Sequence, residues 1–470
     1  MKEKWSIVIM LLLILRVLTA HPAAASESAA KTNGYIVKIA PRSSDVLLVL
    51  KEDIGEEIGN TGDTFYVKDD KELRRLQAAA KIEYIEPNYR ASLLAEPTDE
   101  LYTSQKDLEL IDAKDAWYIG CYGNDIRVAV IDSGVNAHSD LQGNLLPGYN
   151  YLSNNFDTTD NIGHGTSVAG IIAAECNELG TVGIAYRAKI VPIKCFDNGV
   201  ETYASHLIEG IYAAVDDYKC DIINLSGGVN EPSQAMEDAV NYAAQNGVIV
   251  VAAVGNGGGI IKMYPAGCKN AIGVGSVNNS KAHSSFSRRN DSVFVVAQGE
   301  DVWMIKGSTY ATGNGTSYST PQIAGIAAVA KCIDKSVDVH RFKDVLIATS
   351  EDLGTVGYDV RFGYGLVNVG RIIDKLLEDT ELFVSPVDIN SMGDVSVKVY
   401  NNSLTSTSCI GIWADYAGNT LSNTKVSELN LGSKEVIENP YEEEYNVLQY
   451  LLWDSADSMI PLYKARKATN

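Results

Sequence analysis

From about residue 101 to 376, short runs of consecutive apolar residues alternate with stretches of helical periodicity. The runs Ile126-Arg-Val-Ala-Val-Ile131, Lys189-Ile-Val-Pro-Ile193, Ile222-Ile223 and Val248-Ile-Val-Val-Ala252 read as strands covered on both faces. Helical patterns lie between and around them over 167–174, 203–215 and 235–245. Such alternation predicts an α/β domain built on a parallel sheet. In that architecture chemistry sits beyond the carboxyl ends of the strands, and Asp132 and Asn256 each come just after one.

The pattern changes on either side. Residues 34–94 carry strand-like runs at Tyr35–Ile39, Val46–Leu50 and Ile82–Glu86 with helix formers over 71–81, a small α+β unit. Over 380–470 helical patterns vanish, and 395–399, 410–413 and 447–453 alternate in the manner of a β-sandwich. Trp413 and Trp453 are expected in its core. At 1–25, Lys2 and Lys4 precede an apolar run from Ile7 to Leu18 and then Ala23-Ala24-Ala25. This is the layout of a signal peptide and implies a secreted, extracellular protein. An uncleaved anchor is the alternative, but the run is short for a span and Arg16 interrupts it.

Composition narrows the field. Apolar residues make up 46% of the chain and charged residues 21%, ordinary for globular protein, and the net charge of -21 argues against a nucleic-acid partner. The seven cysteines include no CxxC pair, which disfavours a thiolate metal site, and their odd number leaves at least one free thiol.

Three glycine-rich segments carry candidate chemistry: Val128-Ala-Val-Ile-Asp132-Ser-Gly134, Gly163-His164-Gly165-Thr-Ser-Val-Ala-Gly170 and Gly313-Asn-Gly-Thr-Ser317-Tyr-Ser-Thr-Pro321. A serine hydroxyl is a poor nucleophile until a base takes its proton. Histidine titrates near neutrality and can be that base. A buried carboxylate fixes the imidazole tautomer and stabilises its protonated form. Asn256, in Val250-Val-Ala-Ala-Val-Gly255-Asn256-Gly257, can donate to an oxyanion formed on carbonyl attack.

In these segments and in the order Asp, His, Ser the chain resembles the subtilase family of serine proteases, from about Asp107 to Leu376. Gly363-Tyr-Gly-Leu-Val-Asn-Val369 resembles the family's closing segment. The resemblance implies a subtilisin-like α/β catalytic domain over 101–376. It implies Asp132, His164 and Ser317 as the triad, with Asn256 as oxyanion donor. It places substrate-binding walls at Ser226, Gly227 and Gly228 and at Ala253 and Gly255. The implied activity is endopeptidase hydrolysis of extended polypeptides through an acyl-enzyme, by a monomer that needs no cofactor for its chemistry. A structural calcium at Asp140, Asn177, Leu179 and Thr181 is a further implication, since hard oxygen ligands suit that ion; a plain polar loop is the alternative.

Residues 34–94 resemble the family's inhibitory propeptide, which implies self-cleavage near Leu94-Ala95. The last segment of the chain resembles the final strand of Ig-like or fibronectin-like accessory modules. Several positions depart from the family: Ser167, Tyr318, Ser319 and Gln322 replace its usual residues beside the triad, and Met263 stands where a small pocket-floor residue is common. With no carboxylate in the walls and Leu94 before the expected cut, the primary pocket is expected to take medium-sized apolar side chains and reject Arg and Lys. A scaffold protein with a dead protease domain, and a maturation protease with one dedicated substrate, remain as rival readings.

Overall fold

The computed structural model describes residues 35–39, 56–57, 64–67, 73–74, 82–87, 96–199, 202–389, 395–403, 405–417, 420–433, 435–441, 445, 447–454 and 466–469. The expected signal peptide at 1–25, the strand over 46–50, most of the helix over 71–81 and the cleavage point at Leu94-Ala95 lie outside the described residues.

The chain divides into two compact units, 1–94 and 95–470. In the first, β1 (Tyr35–Ile39), β2 (Glu56–Glu57), β3 (Thr64–Val67) and β4 (Ile82–Pro87) form an antiparallel sheet in the order β2-β3-β1-β4. Val37 pairs with Phe65, and both are buried with Val67, so alternate residues turn to one face.

The second unit opens with two short helices, α1 (Lys106–Leu110) and α2 (Lys114–Tyr118). Its centre is a seven-stranded sheet of β5 (Arg127–Asp132), β6 (Tyr149–Asn150), β7 (Lys189–Lys194), β8 (Ile222–Leu225), β9 (Ile249–Ala253), β10 (Ala271–Val277) and β11 (Val295–Gln298). The order is β11-β10-β9-β8-β5-β7-β6 and every pairing is parallel. Both faces are covered. Val128 and Val130 of β5 join a core with α3 (His164–Ala173), α6 (Thr316–Ile333), α7 (Val339–Thr349) and α8 (Val369–Leu376). Ala129 and Ile131 face α4 (Ala204–Asp216) and α5 (Gln234–Gln245). This two-sided burial is why β5 reads as a continuous apolar run. A hairpin of β12 (Val302–Lys306) and β13 (Thr309–Gly313) leads into α6.

The remaining strands are β14 (Leu382–Val384), β15 (Asp388–Ile389), β16 (Val395–Asn401), β17 (Thr407–Ala417), β18 (Thr420–Leu431), β19 (Val436–Tyr441), β20 (Val447–Trp453) and β21 (Arg466–Thr469). They form two antiparallel sheets, β14-β16-β15 with β19 beside β16, and β18-β17-β20-β21. Residues of both sheets share one core around the fully buried Trp413, whose Nε1 donates to Asn439 Oδ1 at 3.3 Å. Trp453 differs from expectation: β20 alternates, and its position falls on the half-buried side. This region docks on the α/β domain through Phe383 and Tyr400, which enter the larger core, and through Lys398, whose Nζ donates to the Trp117 carbonyl at 2.8 Å.

Candidate active site

Asp132 ends β5, near the middle of the sheet, so it stands at the carboxyl edge. Its Oδ1 accepts from Ser133 N at 2.7 Å and lies 2.7 Å from His164 Nδ1. His164 opens α3 after Gly163, whose φ of 79° is left-handed and favours glycine. The two turns pack so tightly that a Cβ on Gly165 would stand 2.1 Å from the Gly134 carbonyl oxygen. Any larger residue there would push His164 off Asp132.

Asp160, which the sequence reading passed over, fixes this arrangement. Its Oδ1 accepts from Ser133 Oγ at 2.8 Å and Gly163 N at 2.7 Å, and its Oδ2 from Thr166 N at 2.8 Å and Thr166 Oγ1 at 2.7 Å. The buried Lys194 supports the same turn, donating to the carbonyls of Ser133 at 2.9 Å and Thr159 at 2.7 Å and pairing with Asp197 at 3.0 Å. An aspartate one turn before the His164 motif was the available signal for the first; Lys194, at the end of an apolar strand, gave none.

Burial works against a charged His164 imidazole, but the Asp132 charge and hydrogen bond, with help from Asp160, outweigh it and raise its pKa above the ordinary value. A histidine raised in this way suits a role in accepting a proton near neutral pH.

Ser317 is the second residue of α6, where its N–H has no acceptor within the helix. Pro321 lacks the N–H that would bond the Ser317 carbonyl four residues back. Ser226 Oγ fills that role, donating to the Ser317 carbonyl at 3.1 Å, while Ser317 Oγ donates to the Ser226 carbonyl at 3.1 Å. In this rotamer the hydroxyl proton is therefore held by Ser226 rather than by the imidazole, and a χ1 rotation separates the resting hydroxyl from one aimed at a base. The neighbouring Tyr318 ring lies 5.9 Å from the His164 ring.

Asn256 Oδ1 accepts from Thr316 N at 2.7 Å and Thr316 Oγ1 at 2.9 Å. That fixes the amide orientation and turns Nδ2 outward; among the described residues Nδ2 has no acceptor. Nδ2 and the Ser317 N–H are thus two donors at one helix N-terminus, a place that favours negative charge. Ser226, Gly227 and Gly228 follow β8, while Ala253 ends β9 and Gly255 follows it; the strands are parallel neighbours, so the two segments emerge side by side. The departures are accommodated internally: Ser167 Oγ bonds the Gly163 and Ile305 carbonyls at 2.7 and 2.6 Å, Ser319 Oγ the Thr316 carbonyl at 3.1 Å, and Gln322 Nε2 the Gln298 carbonyl at 2.6 Å.

Asp140 and Thr181 come together: Asp140 Oδ2 accepts from Thr181 N at 3.2 Å. Asn177 N donates to Asp99 Oδ1 at 3.1 Å, and Asn177 Oδ1 accepts from Leu179 N at 3.0 Å within its own loop. Asp140 Oδ1 and Asp99 Oδ2 are both buried without a partner. Two orphaned carboxylate oxygens beside an amide fit a hard cation. Asp99 was not foreseen, because it lies far away in sequence. Among the described residues no group of three or more His, Cys, Asp or Glu gathers at one point, so any ion here also needs amide or carbonyl oxygens.

The sequence profile of the subtilase family matches residues 123–365. The minor extracellular protease Epr of Bacillus subtilis (strain 168) is 32% identical over 415 residues, which cover 84% of this chain and 64% of Epr. The thermophilic serine proteinase of Bacillus sp. (strain AK1) is 39% identical over 292 residues, 61% of this chain and 71% of that one. Among solved structures, a protease from Pseudoalteromonas arctica superposes with a TM-score of 0.55 at 26% identity, covering 60% of this chain and 99% of its own. With more than half of its length matched by that profile, a parallel sheet of the same architecture and proteases as its relatives, the chain belongs to the subtilase family and is a serine endopeptidase of the subtilisin type.

Proposed function

We propose that the chain is a secreted endopeptidase in which Ser317 attacks the scissile carbonyl, His164 takes its proton, and Asp132 holds the imidazole. The observation that carries this reading is the 2.7 Å bond between Asp132 and His164, with Tyr318, the residue after Ser317, placing its ring 5.9 Å from the imidazole. On substrate binding the Ser317 hydroxyl leaves the Ser226 carbonyl and turns to His164 Nε2. Attack forms the Ser317–carbonyl bond, and the proton passes to Nε2. The oxyanion is met by Asn256 Nδ2 and the Ser317 N–H. His164 then returns the proton to the leaving amine, and water hydrolyses the acyl-enzyme by the same route. Hydrolysis of an unfolded polypeptide by the purified protein, blocked by a fluorophosphonate, tests the reading; an intact polypeptide after long incubation with processed protein would overturn it.

Residues 34–94 serve in this reading as an intramolecular inhibitor, removed by self-cleavage near Leu94-Ala95, with 101–376 as the catalytic domain and 380–470 as an accessory sandwich. The leader-like pattern at 1–25 and the relation to a protease named as extracellular support export.

Asn256→Ala is expected to lower kcat by about 10²–10³ with little change in KM, a magnitude established for a subtilisin and carried over here. The amide donates to charge present only in the transition state, and steady-state kinetics on a peptide substrate reads both constants. An unchanged kcat would reduce Asn256 to a turn residue.

A calcium ion at Asp140 and Asn177, with Asp99 and the 179–181 loop, is the structural counterpart. It would bind the folded state and stabilise it by mass action, by about 2.7 kcal/mol at 100 times Kd. Added calcium should raise the thermal midpoint and a chelator lower it, while low-temperature activity persists. A midpoint indifferent to both would remove the site.

A further inference from the structure

The gap between the two wall segments is crossed by side chains that the wall sequences do not reveal. A Cβ on Gly228 would lie 3.0 Å from Met263 Cγ, and one on Gly255 would lie 3.1 Å from Met263 Cε, so Met263 spans from one wall to the other. The same point on Gly255 is 3.0 Å from Arg288 Nε, and a Cβ on Gly257 would be 3.5 Å from Arg288 Nη2. The guanidinium therefore turns its Nε–Nη2 edge to the glycine wall. It is held from the opposite side: Nη1 donates to Asn230 Oδ1 at 2.7 Å and to the Lys262 carbonyl at 3.4 Å, and the Arg288 N–H bonds the Gly255 carbonyl at 3.1 Å.

The inward edge has no partner. Nε is buried and unbonded, and among the described residues Nη2 bonds to nothing and no ion pair includes Arg288. The acid nearest to it in sequence, Asp291, is paired with Lys262 at 2.7 Å. Nε is packed against the Gly255 backbone, so the donor open to a guest is Nη2, and a permanently charged guanidinium with a free N–H suits a carboxylate through a charge-assisted hydrogen bond. A partly buried cation without a counter-charge is costly, and an anionic guest would relieve that cost.

We propose that Arg288 makes the primary pocket selective for an acidic side chain, Glu or Asp, at the residue before the scissile bond. The inference rests on the proposed catalytic cleft and deepens it by naming the substrate class. It retains the expected rejection of Arg and Lys and replaces the expected apolar preference. Met263 shortens the pocket and covers the aliphatic part of the guest, while Arg288 receives its end. A cut at Leu94 stays compatible, because an intramolecular scissile bond is presented at an effective concentration that does not depend on the pocket.

The test is kcat/KM on peptides identical except for Glu, Gln, Leu, Phe or Lys before the scissile bond, with fluorophosphonate labelling of the same preparation. Glu is expected to exceed its isostere Gln by about 10- to 100-fold, the range for hydrogen bonds to a charged group, and to exceed Leu and Phe. Arg288→Gln and Arg288→Met should abolish the advantage of Glu and put Leu above it. Labelled, active protein that cleaves after Leu or Phe as well as after Glu overturns the pocket assignment and leaves the protease standing. Protein that neither labels nor cleaves any of the peptides overturns the protease reading and the pocket with it.

Discussion

Replacing Ser317 by alanine is expected to lower kcat by about 10⁶, the loss established for a subtilisin rather than derived from this chain. The Ser317 hydroxyl is the one proposed to form the acyl bond; of the other aliphatic hydroxyls in the first turn of α6, Thr316 Oγ1 is tied to Asn256 Oδ1 at 2.9 Å and Ser319 Oγ to the Thr316 carbonyl at 3.1 Å. The fold should hold. Ser317 Oγ makes one hydrogen bond, to the Ser226 carbonyl, and the reciprocal bond from Ser226 Oγ to the Ser317 carbonyl does not involve the lost atom. The same nucleophile is proposed to cut near Leu94-Ala95, so the variant should accumulate as unprocessed precursor. Activity assays and the intact mass of the purified variant read both effects. Processing at the wild-type position with no other protease present would contradict the assignment.

Asp132→Asn should cost less but still about 10⁴ in kcat, the size seen when the equivalent carboxylate of a serine protease becomes an amide. The reasons are the lost charge and the tautomer. Asp132 Oδ1 accepts from Ser133 N and Ser133 Oγ as well as facing His164 Nδ1. Because all three contacts fall on that one atom, an asparagine that keeps its oxygen there still accepts from Nδ1–H but brings no charge to hold the imidazolium. One that presents its NH₂ group there makes Nδ1 an acceptor, leaving the proton on Nε2 where a base is needed. The pH profile should move too. His164 is pushed above its ordinary pKa because the Asp132 charge overcomes burial, so the wild-type acid limb should lie above the free-histidine value, with activity rising as pH passes through it. Without that charge burial dominates and favours the neutral ring, so the limb should shift to lower pH. A limb that stays in place would show that Asp132 does not set the charge of His164.

Much of the α/β domain was legible because its strands are buried on both faces. Val128, Ala129, Val130 and Ile131 are all fully buried, and no polar residue is needed on either side. β10 escaped because Gly273 and Gly275 break its pattern, yet a Cβ on Gly273 would strike the Ser292 carbonyl at 1.9 Å, so glycine is needed for the chain to pass. The β12–β13 hairpin was equally hidden, since β13 is mostly exposed or half-buried and carries little apolar signal. At the site, Asp132, His164, Asn256 and Ser317 stood out because each sits in a glycine turn next to an element. Asp160, Thr316, Lys194 and Asp99 act through backbone N–H groups, carbonyls or partners distant in sequence, and such contacts leave no local pattern. Arg288 is the sharpest case. It lies in the polar stretch Ser284-Ser-Phe-Ser-Arg-Arg-Asn290, and only the fold brings it to Gly255.

The most direct measurement of the central claim is to label the purified wild-type protein with a fluorophosphonate and map the modified residue by peptide mass spectrometry. One equivalent on Ser317, lost in His164→Ala, is the expected result. No label on folded, processed protein, or a label on another serine, would contradict the account.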